Sequence, residues 1–140
     1  NISKLYLIDS YEENPKAVEC FSKESLLDAK KDAKARMKAF GNKIVWIHKL
    51  SDEAFREINE QVDFVYVDAD HDYEPVKQDI KNSYDILKKG GILAGHDLTY
   101  PGVFRAYSEF LLEHKMSANI EATICPPGEH WSADWWIIKE

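Results

Sequence analysis

The sequence predicts an α/β fold: a mostly parallel sheet with helices between its strands and an antiparallel hairpin at the C-terminal edge. Three observations carry this. Short apolar runs alternate with segments of helical periodicity, a strand–helix–strand unit occupies residues 62–95, and the last two strands are joined by a turn-rich stretch instead of a helix.

Taken in order, Leu5, Tyr6, Leu7 and Ile8 form a short apolar strand that stops at Asp9. Residues 10–20 are polar, contain Asn14-Pro15 and read as a loop. Ser22 is placed to cap a helix whose apolar positions, Leu26, Ala29, Ala33, Met37 and Phe40, fall on one stripe, and Gly41-Asn42 stops it. Ile44, Val45, Trp46 and Ile47 make the next strand. Ser51 is placed to cap a short helix through Ala54, Phe55 and Ile58, with Asp52 and Glu53 at the positive end of its dipole.

Residues 62–67 are rich in β-branched and aromatic side chains and nearly free of charge, the composition of a strand buried on both faces. Beyond them, Val76, Ile80, Tyr84 and Leu87 draw one apolar stripe along a helix, and Pro75 suits its first turn, where a missing N–H is no loss. Lys88-Lys89-Gly90-Gly91 is expected to close that helix, with cations at the negative end of the dipole and a glycine where φ turns positive. Residues 92–95 then form a second buried strand. A right-handed crossover brings both strands to the same edge, at Asp68-Ala69-Asp70-His71 and at His96-Asp97. That edge is where open α/β sheets bind ligands. After Tyr100-Pro101-Gly102, a helix carries Val103, Ala106, Tyr107, Phe110 and Leu111 on one side. Residues 120–124 and 135–138 are the final strands, with Cys125-Pro126-Pro127-Gly128 between them and Trp135 and Trp136 alternating faces.

A chain of 140 residues suits one domain with a real core, since about 68% of the unfolded surface is buried at this size. The net charge is −7, from 25 acidic against 18 basic residues, which argues against a nucleic-acid partner. The densest basic stretch, Lys30-Lys31 and Lys34-Ala35-Arg36, is interleaved with Asp28 and Asp32 and reads as a solvated helix face. Cys20 and Cys125 show no CxxC spacing, so neither a disulfide framework nor a zinc site is indicated, and a cytoplasmic location is expected. No run approaches the ~20 apolar residues of a membrane span.

The order of elements, with Asp9 and Asp68 each ending a strand, Lys-Lys-Gly-Gly before Ile92 and a closing hairpin with Trp135-Trp136, resembles the class I S-adenosylmethionine-dependent methyltransferases. The segments 64–73 and 87–97 resemble the small-molecule O-methyltransferase branch most. The likeness implies a Rossmann-like α/β fold over nearly the whole chain. It also implies S-adenosylmethionine as cofactor, with Asp9 accepting the ribose hydroxyls, Leu50 and Ser51 edging the adenine, and Asp68 and Asp70 facing the cofactor. In metal-dependent relatives an acid at Asp68 joins the two residues corresponding to His96 and Asp97 around a divalent cation, Mg²⁺ or another dication; a histidine suits magnesium less well than a carboxylate. His71 is then placed to act as general base toward a small-molecule acceptor, and His130 and Trp131 lie where relatives contact substrate.

One family feature has no counterpart: the glycine-rich turn between the family's first strand and helix. The sheet is therefore expected to lack its central strand, in a single, N-terminally trimmed domain over residues 1–140 that begins at Asn1. Open edges so exposed would favour a homo-oligomer. Two rival functions stand beside methyl transfer: a non-catalytic remnant acting as an interaction domain, and a metal-dependent α/β hydrolase using the same acids and histidines.

Overall fold

The computed structural model describes residues 2–13, 21–122 and 133–140. The expected loop around Asn14-Pro15 and the positions of Cys20, Cys125, His130 and Trp131 lie outside them. The chain divides into two compact units, Asn1–Glu57 and Ile58–Glu140.

In the first unit, β1 (Leu5–Ile8) pairs in parallel with β2 (Ile44–Ile47) in a continuous register from Leu5↔Ile44 to Ile8↔Ile47. The helix α1 (Lys23–Met37) connects them. Ser22 caps it as the sequence predicts: its Oγ accepts the Ser25 amide at 3.2 Å, which satisfies one orphan donor of the first turn. A 3₁₀ segment, Lys38–Lys43, follows, and Gly41 takes φ 54° there, which costs glycine nothing. The predicted stripe is only partly covered. Leu26, Ala33 and Met37 are half-buried, whereas Ala29 and Phe40 are exposed. On the solvated side Lys31 pairs with Asp28 and Arg36 with Asp32, as expected of that mixed-charge face.

The short helix α2 (Ser51–Ala54) corrects one expectation. Ser51 is its first helical residue, and Leu50 occupies the cap. The Leu50 backbone is extended, and its carbonyl accepts the Glu53 and Ala54 amides, so the helix starts without a side-chain cap.

In the second unit, β3 (Val62–Val67), β4 (Leu87–Gly95), β5 (Asn119–Ala122) and β6 (Ala133–Ile138) form one sheet in the order β3-β4-β6-β5. β3 and β4 are parallel; β6 is antiparallel to both β4 and β5. One face packs on α3 (Tyr73–Ile86) and α4 (Pro101–His114). Leu93, Trp135 and Ile137 meet Val76 and Ile80 of α3 and all five predicted stripe residues of α4 in this core. Burial of that apolar area, at roughly 25 cal/mol per Å², is the main force holding the unit together.

Two further corrections belong here. β3 is not buried on both faces: Val65 and Val67 point inward, but Phe64 and Tyr66 are 56% and 47% exposed. β3 is the edge strand of its sheet, and the helices α3 and α4 cover a single face, so the aromatic content reflects strand propensity more than burial. Nor does Lys88-Lys89-Gly90-Gly91 cap a helix. α3 ends at Ile86, and fully buried Leu87 is pulled into the core with extended backbone, which makes the four residues an irregular start to β4. Lys88 reaches Asp63 at 2.7 Å, and Gly90, at φ 79°, donates its amide to the Lys139 carbonyl. The glycine does supply positive φ, in the sheet.

The described strands form two separate sheets, β1-β2 and β3-β4-β6-β5, in which β1 and β3 are edge strands. Among the described residues no helix is long and apolar enough to cross a membrane.

Candidate active site

Parallel pairing ends β3 and β4 side by side, Val67 opposite Gly95, so whatever follows each strand shares one edge. The His96 amide donates to the Val67 carbonyl at 3.1 Å and extends the pairing by one residue. Asp97 then enters the left-handed region at φ 58°, where short polar side chains are tolerated, and its carbonyl accepts the Tyr100 amide at 2.9 Å. This turn leaves the Asp97 carboxylate between two imidazoles. Its Oδ2 lies 2.9 Å from His71 Nε2 and 3.1 Å from His96 Nδ1.

His71 is held from three sides. Asp70 Oδ1 accepts the Asp72 amide at 2.9 Å, a local turn that leads into α3. The His71 ring stacks on Tyr100, centroids 4.1 Å apart. Gly102 lets the start of α4 close on the same loop: a Cβ there would collide with the His71 carbonyl oxygen and crowd the Tyr73 amide. Both partners of the His71–Asp97 pair are largely covered, with 11% and 18% of their side chains exposed.

Asp68, His71 and Asp97 each offer one ligand atom, and these atoms lie within 4.8 Å of one another. The chemistry of two carboxylates and an imidazole fits a divalent cation. Of the predicted set of Asp68, His96 and Asp97, the two acids meet here, and the imidazole grouped with them is that of His71 in place of His96. His96 lies against the set, with Nδ1 3.9 Å from Asp68, while its Nε2 faces Asp134 at 3.9 Å. Desolvation works against protonating His96, but the hydrogen bond to Asp97 and the negative charges of Asp97, Asp68 and Asp134 outweigh it. The His96 pKa is therefore raised above the ordinary histidine value.

Sequence reasoning missed Tyr66, Tyr100 and Asp134. Tyr66 donates its hydroxyl to Asp134 at 2.9 Å; partial burial, that bond and the charges of Asp134, Asp68 and Asp97 push the phenol up to about 12. Trp135 Nε1 donates to the His96 carbonyl at 3.1 Å, tying the edge to the core. The signal for Tyr66 was its place two residues before Asp68; Asp134 carried none without the hairpin's register.

The first unit presents its own edge. The Asp9 amide donates to the Ile47 carbonyl at 3.2 Å, so Asp9 follows β1 next to the end of β2. Its carboxylate is exposed at the surface, and Oδ1 accepts the Tyr11 amide at 2.7 Å. Tyr11 stands edge-on to His48 at 5.6 Å and takes the Lys30 ammonium over its ring at 5.1 Å. Leu50 is 58% exposed and Ser51 half-buried, both at the start of α2. An acceptor-only carboxylate has the chemistry to hold sugar hydroxyls, and an open leucine that to edge a flat ring.

A parallel crossover with carboxylates and imidazoles beyond its strands defines the class of Rossmann-like α/β ligand-binding domains. Within that class, the chain belongs to the methyltransferase domain family, which residues 1–98 match. Solved structures with the same fold include the O-methyltransferase from Bacillus cereus bound to SAH, with a TM-score of 0.67, 14% identity, and 97% of this chain and 63% of that chain covered. The apo TDP-rhamnose 3'-O-methyltransferase of calicheamicin biosynthesis matches with a TM-score of 0.55 and 23% identity over 94% of this chain and 58% of that one. The O-methyltransferase NovP matches with a TM-score of 0.63 and 11% identity, over 94% and 59%. The chain spans about six tenths of the length of these structures. No curated protein sequence matches it.

Proposed function

We propose that this protein transfers a methyl group from S-adenosylmethionine to a hydroxyl group of a small molecule. The observation that carries the reading is the Asp68–His71–Asp97 cluster at the shared end of β3 and β4, in a chain of the methyltransferase domain family. The O-methyltransferases of the same fold support a hydroxyl acceptor.

The chemistry asks little of the protein beyond placement. S-adenosylmethionine supplies an electrophilic methyl carbon. The acceptor oxygen attacks it in line, the carbon–sulfur bond breaks, and S-adenosylhomocysteine leaves, with proximity and orientation lowering the barrier. The acceptor proton needs a destination, and in the metal-free protein His71 offers one. With the Nε2 proton assigned to the bond with Asp97, the lone pair sits on Nδ1, and Asp97 stabilises the imidazolium that forms. Asp9 is assigned the ribose hydroxyls, and Leu50 and Ser51 the adenine edge. Asp68 and Asp97 would hold a divalent cation; when bound, it would polarise the acceptor hydroxyl.

Calorimetric titration of S-adenosylhomocysteine tests the reading. Saturable binding is expected, weakened at least about tenfold in Asp9→Ala. Absence of binding to the full natural chain would sink methyl transfer and favour the interaction-domain alternative. Metal-dependent ester or phosphate hydrolysis without S-adenosylmethionine would favour the hydrolase.

A further inference from the structure

The Asp97 carboxylate sits between two imidazoles, and a third acid, Asp68, faces both it and His96. This is a mixed nitrogen and oxygen donor set. Magnesium prefers oxygen throughout and gives up water reluctantly. Zinc and cobalt accept imidazole and carboxylate together. We infer that this edge takes a transition-metal dication, Zn²⁺ or Co²⁺, with His71 Nε2 as the nitrogen ligand beside Asp68 and Asp97, and that such binding excludes the general-base role of His71.

The exclusion follows from counting ring nitrogens. In the structure His71 Nε2 lies 2.9 Å from Asp97 Oδ2, a hydrogen bond that needs the proton on Nε2 and leaves the lone pair on Nδ1. A metal takes the lone pair of Nε2, so the ring proton must move to Nδ1. The same imidazole then has no lone pair left for an acceptor hydroxyl. Little movement of the ring is needed, because the ligand atoms of Asp68, His71 and Asp97 already lie within 4.8 Å and stacking on Tyr100 fixes the ring plane. His96, 3.1 Å from Asp97 and 3.9 Å from Asp68, is the neighbour that keeps Asp97 in place when His71 releases it. The inference rests on the reading of this edge as the acceptor side, but the metal is measured without any cofactor.

The test titrates ZnCl₂, CoCl₂ and MgCl₂ separately into metal-free protein by calorimetry, with ring-nitrogen NMR of the histidines. Zn²⁺ and Co²⁺ are expected to bind saturably, and Zn²⁺ to move the proton of His71 from Nε2 to Nδ1 while His48 and His114 stay unchanged. Almost any nitrogen-containing site ranks zinc above magnesium, so the decisive arm is a swap. In His71→Asp, which restores an all-oxygen set, the Zn²⁺ to Mg²⁺ affinity ratio should fall at least about tenfold, the scale on which even outer-shell partners act. An unchanged ratio in a variant that still melts cooperatively overturns the inference, as does Mg²⁺ binding as tightly as Zn²⁺ in the parent protein. Saturable Zn²⁺ binding with no response to S-adenosylhomocysteine would uphold the metal site and reject methyl transfer; the reverse would do the opposite.

Discussion

The two units present ionisable residues at strand ends, but they hold them differently. In Asn1–Glu57 only Ile47 and Ala54 are buried apolar residues among those described, and no residue of α1 is buried. In Ile58–Glu140, Trp135, Tyr107, Ile80, Leu87 and Leu93 are fully covered, and the His71–Asp97 pair stands on top of that packing. The lesson is that precision follows packing. The second unit can hold an imidazole firmly, because a stacked ring and a close helix start bear on His71 while a core indole bonds the carbonyl of His96. The first unit offers Asp9 on a two-stranded ladder with little beneath it, which suits a ligand that supplies its own order on binding.

The strongest test of this contrast is Trp135→Ala. The side chain is fully buried, packs on Tyr107 at 4.9 Å and bonds the His96 carbonyl, so its loss should cost about 3–5 kcal/mol. Urea denaturation followed by circular dichroism checks it, and Phe40→Ala in the first unit, where the ring is 53% exposed, should change the unfolding free energy by no more than about 0.5 kcal/mol. Equal effects would erase the distinction between the units.

Next in size is Gly102→Ala. A methyl group there must push the 71–73 loop away, at about 1–3 kcal/mol, and should disturb the His71 ring resonance while leaving His48 unmoved. An unaltered His71 signal would show that α4 does not position that ring.

Asp9→Asn should lower S-adenosylhomocysteine affinity and leave the unfolding midpoint unchanged, since the residue is exposed. A fall in stability comparable to that of Gly102→Ala would mean that Asp9 is structural.

The smallest effect concerns Glu109 on α4. It accepts from Tyr73, Arg105 and Lys77, in that order of influence, and these hold its carboxyl down at about 2. A depressed folded pKa stabilises the fold above the ordinary value of 4.5, and that contribution is lost as pH falls through about 2. Because the cluster is exposed, the change is small. In Glu109→Gln the midpoint should decline less steeply between these pH values, a difference visible in urea melts taken at half-unit steps.

Much of the scaffold was legible because it depends on local rules. The five-residue stripe of α4 is buried as its spacing implies, and Ser22 caps α1 through its own side chain. The family likeness, carried by Asp68, the Lys-Lys-Gly-Gly run and the closing hairpin, led to the right fold. What failed depends on neighbours distant in sequence. Phe64 and Tyr66 read as buried because composition cannot say whether a strand lies at an edge. Lys88 to Gly91 read as a helix end because the pull of the core on Leu87 is invisible in four residues. The meeting of His71 with Asp97 was half legible: the crossover predicts a common edge, but the partner atoms depend on a backbone turn at Asp97 that aspartate permits without dictating.

That turn constrains how the position can change over time. At φ 58°, residue 97 is open to asparagine, glycine and aspartate at little strain, and closed to most of the alphabet. Of those three, only aspartate brings a charge for the two imidazoles to share. A lineage drifting at this site therefore has two short steps available, both of which keep the loop's shape while removing that charge. Relatives carrying asparagine or glycine here would show how the same loop behaves without a charge between its two imidazoles.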